Sequence, residues 1–117
     1  MKTKILVVED DFTWQLIFKN LLKKWWYNNV TVAYRIYEAL ESIDQQLFEV
    51  LVCDTSLKDD TDWIKVAEAF RKKFPEGKII AMSANEKFKD FWTWKCDIFI
   101  SKAVIQEQLL DAVWNAK

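Results

Sequence analysis

Four short apolar runs in this 117-residue chain each end in residues able to do chemistry. Lys4 to Val8 is followed by Glu9, Asp10 and Asp11, and Val50 to Cys53 by Asp54. Lys78 to Met82 is followed by Ser83, and the run Ile98 to Ile100 leads to Lys102. If the four run ends meet, three carboxylates (Glu9, Asp10, Asp54), one hydroxyl and one ammonium share a cleft. Two like charges ~4 Å apart repel by roughly 4 kcal/mol at an effective dielectric near 20. Three uncompensated carboxylates are therefore unstable or partly protonated. A hard divalent cation resolves this, because magnesium takes oxygen ligands, keeps waters and completes its shell with phosphate. Lys102 supplies a mobile point charge suited to a phosphoryl group. With no histidine in the chain, His-based zinc sites and Ser-His or Cys-His catalysis by this chain alone are excluded.

The elements that must position these residues alternate. Lys4–Val8, Val30–Tyr34, Val50–Cys53, Lys78–Met82 and Ile98–Ile100 read as strands. Between them, apolar residues recur at helical spacing. The first stripe is Trp14, Ile17, Phe18, Leu21, Leu22 and Trp25. The second is Ile36, Ala39, Leu40, Ile43 and Leu47. The third is Trp63, Val66, Ala67, Phe70 and Phe74, closed by Pro75 and Gly77. Phe88, Phe91 and Trp92 mark a shorter helix, and Ile105, Leu109, Ala112 and Val113 line a last one. Five strands alternating with five helices predict a parallel sheet with right-handed crossovers and helices on both faces. Ligands of such sheets sit beyond the carboxyl ends of the strands.

Composition narrows the class. A single glycine and a single proline exclude collagen-like and linker-rich chains. No apolar run approaches the ~18–20 residues of a membrane span, and no signal peptide is visible at the start. Cys53 and Cys96 do not make a disulfide framework, and Cys53 reads as a small apolar core residue. A net charge of −1 offers no basic footprint for nucleic acid. The expectation is one cytoplasmic domain over residues 1–117.

The segments Lys4-Ile5-Leu6-Val7-Val8-Glu9-Asp10, Glu38-Ala39-Leu40, Val52-Cys53-Asp54, Ile79-Ile80-Ala81-Met82-Ser83-Ala84 and Phe99-Ile100-Ser101-Lys102 sharpen this picture. Together they make the chain resemble, over essentially its whole length, the receiver domain of bacterial two-component response regulators. The resemblance implies a flavodoxin-like, doubly wound five-stranded α/β fold with strand order 2-1-3-4-5. It implies Asp54 as phosphoacceptor, and Mg2+ (or Mn2+) held by Glu9, Asp10, Asp54 and the Ser56 backbone carbonyl, with Glu9 acting through water. It implies that the Ser83 hydroxyl and Lys102 contact the phosphoryl group, and that Ser83 and Phe99 form the switch. Ser56 and Asn85 sit where the family tunes the lifetime of the phosphoryl group.

The partners implied are a sensor histidine kinase or a histidine phosphotransfer protein, and an output protein reached through protein–protein contacts. The chain then works as a stand-alone regulator, with only self-directed phosphoryl transfer and hydrolysis and no external substrate. Two alternatives stand beside this reading: a phosphorelay intermediate, and a receiver-like interaction module with impaired phosphorylation.

Departures from the family cluster around the proposed switch. Leu57-Lys58-Asp59-Asp60-Thr61-Asp62 replaces the usual Met-Pro and Asp-Gly loop, with a glycine-type position falling near Asp62. Lys95-Cys96 replaces Gly-Ala, and Lys102-Ala103 replaces Lys-Pro. A cis bond before Ala103 costs ~2.5–4 kcal/mol, so a trans peptide is expected. Read blandly, Asp11 is a helix N-cap and the acids beside it favour the helix dipole. By helical angle, Trp14, Trp25, Trp63 and Trp92 face inward, whereas Trp26, Trp94 and Trp114 do not. Trp94, Leu110 and Trp114 are the expected partner surface, with a homodimer as one candidate assembly.

Overall fold

A computed structural model describes residues 3–55, 62–83 and 96–116. The elements are β1 (Lys4–Val8), α1 (Phe12–Lys24), β2 (Asn29–Ala33), α2 (Ile36–Gln45), β3 (Val50–Asp54), α3 (Asp62–Lys73), β4 (Lys78–Ser83), β5 (Ile98–Ser101) and α4 (Ile105–Ala116). A 3-10 turn, Lys102–Val104, joins β5 to α4. All strand pairs are parallel, in the order β2-β1-β3-β4-β5. This is the doubly wound arrangement that the alternation of strands and helices predicts. The expected helix through Phe88, Phe91 and Trp92 lies outside the described residues.

The period-two alternation of a strand sorts the core into two layers. Leu6, Val8, Leu51, Cys53, Ile79 and Ala81 pack with Ala39 and Ile43 of α2 and Trp63, Val66 and Phe70 of α3. Ile5, Val7, Val50, Val52, Ile80 and Met82 pack on the other face with Phe18 and Leu22 of α1 and Leu109 and Val113 of α4. Strands buried on both faces read as continuous apolar runs, as these do. Gly77 is required by crowding. A Cβ there would stand 2.7 Å from Cε1 of Phe70 and 3.2 Å from Cβ of Phe74.

Helix ends explain where the apolar stripes mislead. Trp25, expected inward, is 53% exposed, because α1 stops at Lys24 and Trp25 is already its C-cap. Leu47, expected on the α2 stripe, is 66% exposed, because α2 ends at Gln45 and the buried side chain is Phe48. Strand β2 begins and ends one residue earlier than expected, leaving Tyr34 outside it and exposed. Trp63 is buried and Trp14 is half-buried, as their stripes require. The end of α1 is unusual. Trp26 has φ 71°, the left-handed position that normally takes glycine. Its N–H donates to the Lys23 carbonyl at 2.9 Å, and Tyr27 N–H donates to the Leu22 carbonyl at 3.0 Å. These two bonds close a Schellman turn with tryptophan where glycine is usual.

Candidate functional site

Strand register brings the chemistry-bearing residues together. Val8 pairs with Cys53, so Glu9 and Asp54 leave adjacent strands at the same level. Asp54 in turn pairs with Met82, and Ser83 with Ser101. Asp11 caps α1, accepting from the N–H groups of Thr13 at 2.8 Å and Trp14 at 3.2 Å, so the simple capping role holds for this acid. The two acids before it face the cleft instead. One carboxylate oxygen from each of Glu9, Asp10 and Asp54 lies within 4.8 Å of the others. Glu9 and Asp54 are buried and Asp10 is exposed.

Lys102 enters this cluster from the far side of the sheet. Its Nζ stands 3.1 Å from Glu9 Oε2, 3.3 Å from Glu9 Oε1 and 3.4 Å from Asp54 Oδ2. The side chain is itself buried, and its ammonium lies 4.9 Å from the centroid of the Trp14 ring. One ammonium against three carboxylates leaves the cleft negative. Burial, with the charge of Asp54 second, pushes the Glu9 carboxyl up to about 8 against the pull of Lys102. Burial and then Asp54 also raise Asp10.

The donor set fits a hard divalent cation. All its donors are oxygens, and they carry more negative charge than Lys102 offsets. Glu9 Oε2 is buried with no hydrogen bond, which leaves an acceptor for a water on such an ion. The cleft residues that could hold the ion are therefore Glu9, Asp10 and Asp54.

Ser83 is buried at the end of β4. Phe99 is partly buried against the α2–α3 layer. The peptide before Ala103 is trans, and Ser101 Oγ accepts from Ala103 N–H at 3.3 Å. Ser56, Asn85 and Trp94 lie outside the described residues, as do residues 57–61; Asp62 opens α3. Leu110 is half-buried against the α1–α4 layer, and Trp114 is exposed. Both flank the end of α1, beside Trp25. Cys53 and Cys96 are free thiols; burial pushes Cys53 well up and Cys96 up to about 11, which fits packing and not redox chemistry.

Three supports escaped the reading of the sequence. Gln15 is buried, and its Nε2 donates to the Glu9 carbonyl at 2.5 Å, holding the acidic turn. A polar residue three before Phe18 and seven before Leu22, on the inward face, was its signal. Thr55 is buried, and its Oγ1 donates to the Met82 carbonyl at 3.0 Å, tying the residue after Asp54 to β4. Trp14 meets Lys102 across 88 positions of chain, a contact that no local pattern carries.

The family model of the response regulator receiver domain matches residues 5–114. The chain belongs to this family. This receiver is 32% identical over 83 residues to the transcriptional regulatory protein ZraR of Salmonella typhimurium, covering 71% of this chain and 18% of that protein. It is 32% identical over 80 residues to ZraR of Escherichia coli K12, covering 68% of this chain and 18% of that protein. The chain thus spans under a fifth of the length of the curated relatives it matches. Among solved structures, the receiver superposes on the response regulator TrrA of Thermotoga maritima, crystallised with Mg2+-BeF, with a TM-score of 0.86. The two are 24% identical, with 98% of this chain and 99% of that one covered. It superposes on the chemotaxis response regulator CheY4 of Vibrio cholerae with a TM-score of 0.86 at 19% identity and complete coverage of both chains. These likenesses establish the fold. Among the described residues of the receiver, no helix is long and apolar enough to cross a membrane.

Proposed function

We propose that this receiver accepts a phosphoryl group on Asp54 from a sensor histidine kinase or a histidine phosphotransfer protein, and signals through protein–protein contacts. The observation that carries this reading is the buried Asp54 carboxylate at a strand end, 3.4 Å from the Lys102 ammonium and within 4.8 Å of oxygens from Glu9 and Asp10. In the transfer, an Asp54 carboxylate oxygen attacks phosphorus. A P–O bond forms, the P–N bond to the donor imidazole breaks, and the electron pair leaves with the imidazole nitrogen. The acyl phosphate formed is labile, which suits a reversible signal.

Phosphoryl transfer needs mainly positioning and charge neutralisation. Glu9, Asp10 and Asp54, with the Ser56 carbonyl, hold Mg2+ or Mn2+, which when bound neutralises charge on the phosphoryl oxygens. Lys102 already borders Asp54, and its ammonium moves from the carboxylate pair to the phosphoryl oxygens as they arrive. The new group brings about −1.5 to −2 charge and strong acceptors. The Ser83 hydroxyl donates to one of these acceptors, and Phe99 on the neighbouring strand changes rotamer with it.

The test is incubation with a small phosphodonor and Mg2+, followed by intact-mass measurement. The expected result is one phosphoryl adduct in the wild type and none in Asp54→Asn. An adduct that persists in Asp54→Asn refutes the site. If neither an adduct forms nor beryllofluoride binds, the chain is an interaction module, and onward transfer to a phosphotransfer partner marks a relay.

A further inference from the structure

The end of α1 and the outer face of α4 enclose an open groove of about 780 Å3. Its apolar surface comes from Leu21 and Trp25 on one side and Leu110 and Trp114 on the other. Trp25 is 53% exposed and Trp114 58% exposed, so two indole rings stand in solvent beside one groove. Tryptophan is enriched among interface anchors, and a clustered pair is unlike scattered surface apolars. The groove lies roughly 15 Å along α1 from Trp14, at 1.5 Å per helical residue, and so away from the phosphorylation cleft.

The rims carry opposite charges. Lys24 edges the α1 side, and Glu107 and Asp111 edge the α4 side. All three are exposed, and among the described residues no ion pair joins the two rims. A partner of uniform charge would meet repulsion at one rim. A surface that carries both signs on opposite edges is complementary to itself under a two-fold rotation.

We propose that this groove binds a second copy of the chain, related by a two-fold axis running along the groove. That axis lays α1 of each copy over α4 of the other. Each Lys24 then faces the other copy's Glu107 and Asp111, and the Trp25 and Trp114 rings close the centre. A two-fold axis across the groove would instead set Lys24 on Lys24 and acid on acid, so charge selects the first arrangement.

Sedimentation equilibrium on the full chain tests this. The wild type is expected to show a concentration-dependent monomer–dimer equilibrium. Trp25→Ala with Trp114→Ala is expected to weaken it on the order of tenfold or more. Lys24→Glu alone, and Glu107→Lys with Asp111→Lys, each weaken it. The triple reversal in one chain restores it, which the crosswise axis cannot do. Phosphoryl adduct formation on Asp54 is measured on every variant and stays at the wild-type level, so failure of the dimer and failure of the phosphorylation reading are separable. A wild type that remains monomeric at every concentration leaves the groove to another protein and overturns the proposal. So does a folded triple variant that fails to recover association.

Discussion

The Lys102 ammonium stands 4.9 Å from the centroid of the Trp14 ring while also bridging Glu9 and Asp54. A cation over an indole face gains about 0.5–2 kcal/mol, the higher figure when desolvated, and Lys102 is buried. Phe18 stacks behind Trp14 with ring centroids 5.7 Å apart, so the ring that meets the lysine is itself supported. Trp14→Leu is therefore expected to slow adduct formation from a small phosphodonor by about 3- to 10-fold, with Trp14→Phe recovering part of the rate. Equal rates for wild type and Trp14→Leu would show that the lysine needs no such support.

Crowding of Glu9, Asp10 and Asp54 makes the cleft a site of stored repulsion when no cation is bound. Asp54→Asn is expected to raise stability to urea in the presence of EDTA by about 1–3 kcal/mol. Added Mg2+ should raise the midpoint of the wild type more than that of Asp54→Asn, because the cation relieves what the substitution has already removed. The opposite ranking of the two midpoints in EDTA would contradict this account.

Asp97 joins three elements. Its Oδ2 takes the Arg71 guanidinium of α3 at 2.6 Å and the N–H of Ile79 in β4 at 2.8 Å, just before β5 begins. Burial works to raise this carboxyl, but the hydrogen bonds from Arg71 and Ile79 win and hold it below its ordinary 3.8. A depressed carboxyl stabilises the fold above its unfolded value and loses that contribution as pH falls through the folded value. The window is thus below about pH 4. The pair is a third exposed, so solvent limits Asp97→Asn to a loss of about 1 kcal/mol at pH 7. Urea midpoints of wild type and variant at pH 7 and pH 3 should differ clearly at the first and converge at the second.

Trp26 occupies the left-handed position that closes α1, at φ 71°. For an L-residue with a Cβ this conformation costs roughly 1–2 kcal/mol, which glycine avoids. Trp26→Gly is expected to raise stability by about 1 kcal/mol, since the 72% exposed ring contributes little burial to offset the strain. Calorimetry of the two proteins checks the sign; a lower melting temperature in the glycine variant would mean that the ring's contacts outweigh the backbone.

Most of the fold was legible because its signals are local. Apolar runs such as Val50–Cys53 are strands because both faces are covered, and stripes such as Trp63, Val66 and Phe70 point where helical angles send them. The site was legible through strand ends: Glu9, Asp10, Asp54 and Lys102 do share one cleft. What failed was termination. Trp25 and Leu47 continue an apolar periodicity past the point where the helix has stopped, so spacing alone placed them inward. The stop at Lys24 had no glycine to announce it, because Trp26 fills that role. Contacts between distant segments, such as Trp14 with Lys102 and Arg71 with Asp97, leave no local pattern to read.

The scattering of indole rings has an optical consequence. Of seven tryptophans, Trp63 is sealed in the core and Trp25, Trp26 and Trp114 face solvent, so their emission separates into blue and red components. Trp14 alone among the described residues sets its ring against the lysine that borders the phosphoacceptor. When that ammonium changes partners, the charge over one chromophore changes while the remaining described indoles keep their surroundings. The receiver carries a native emission probe at its cleft, readable in real time without a label.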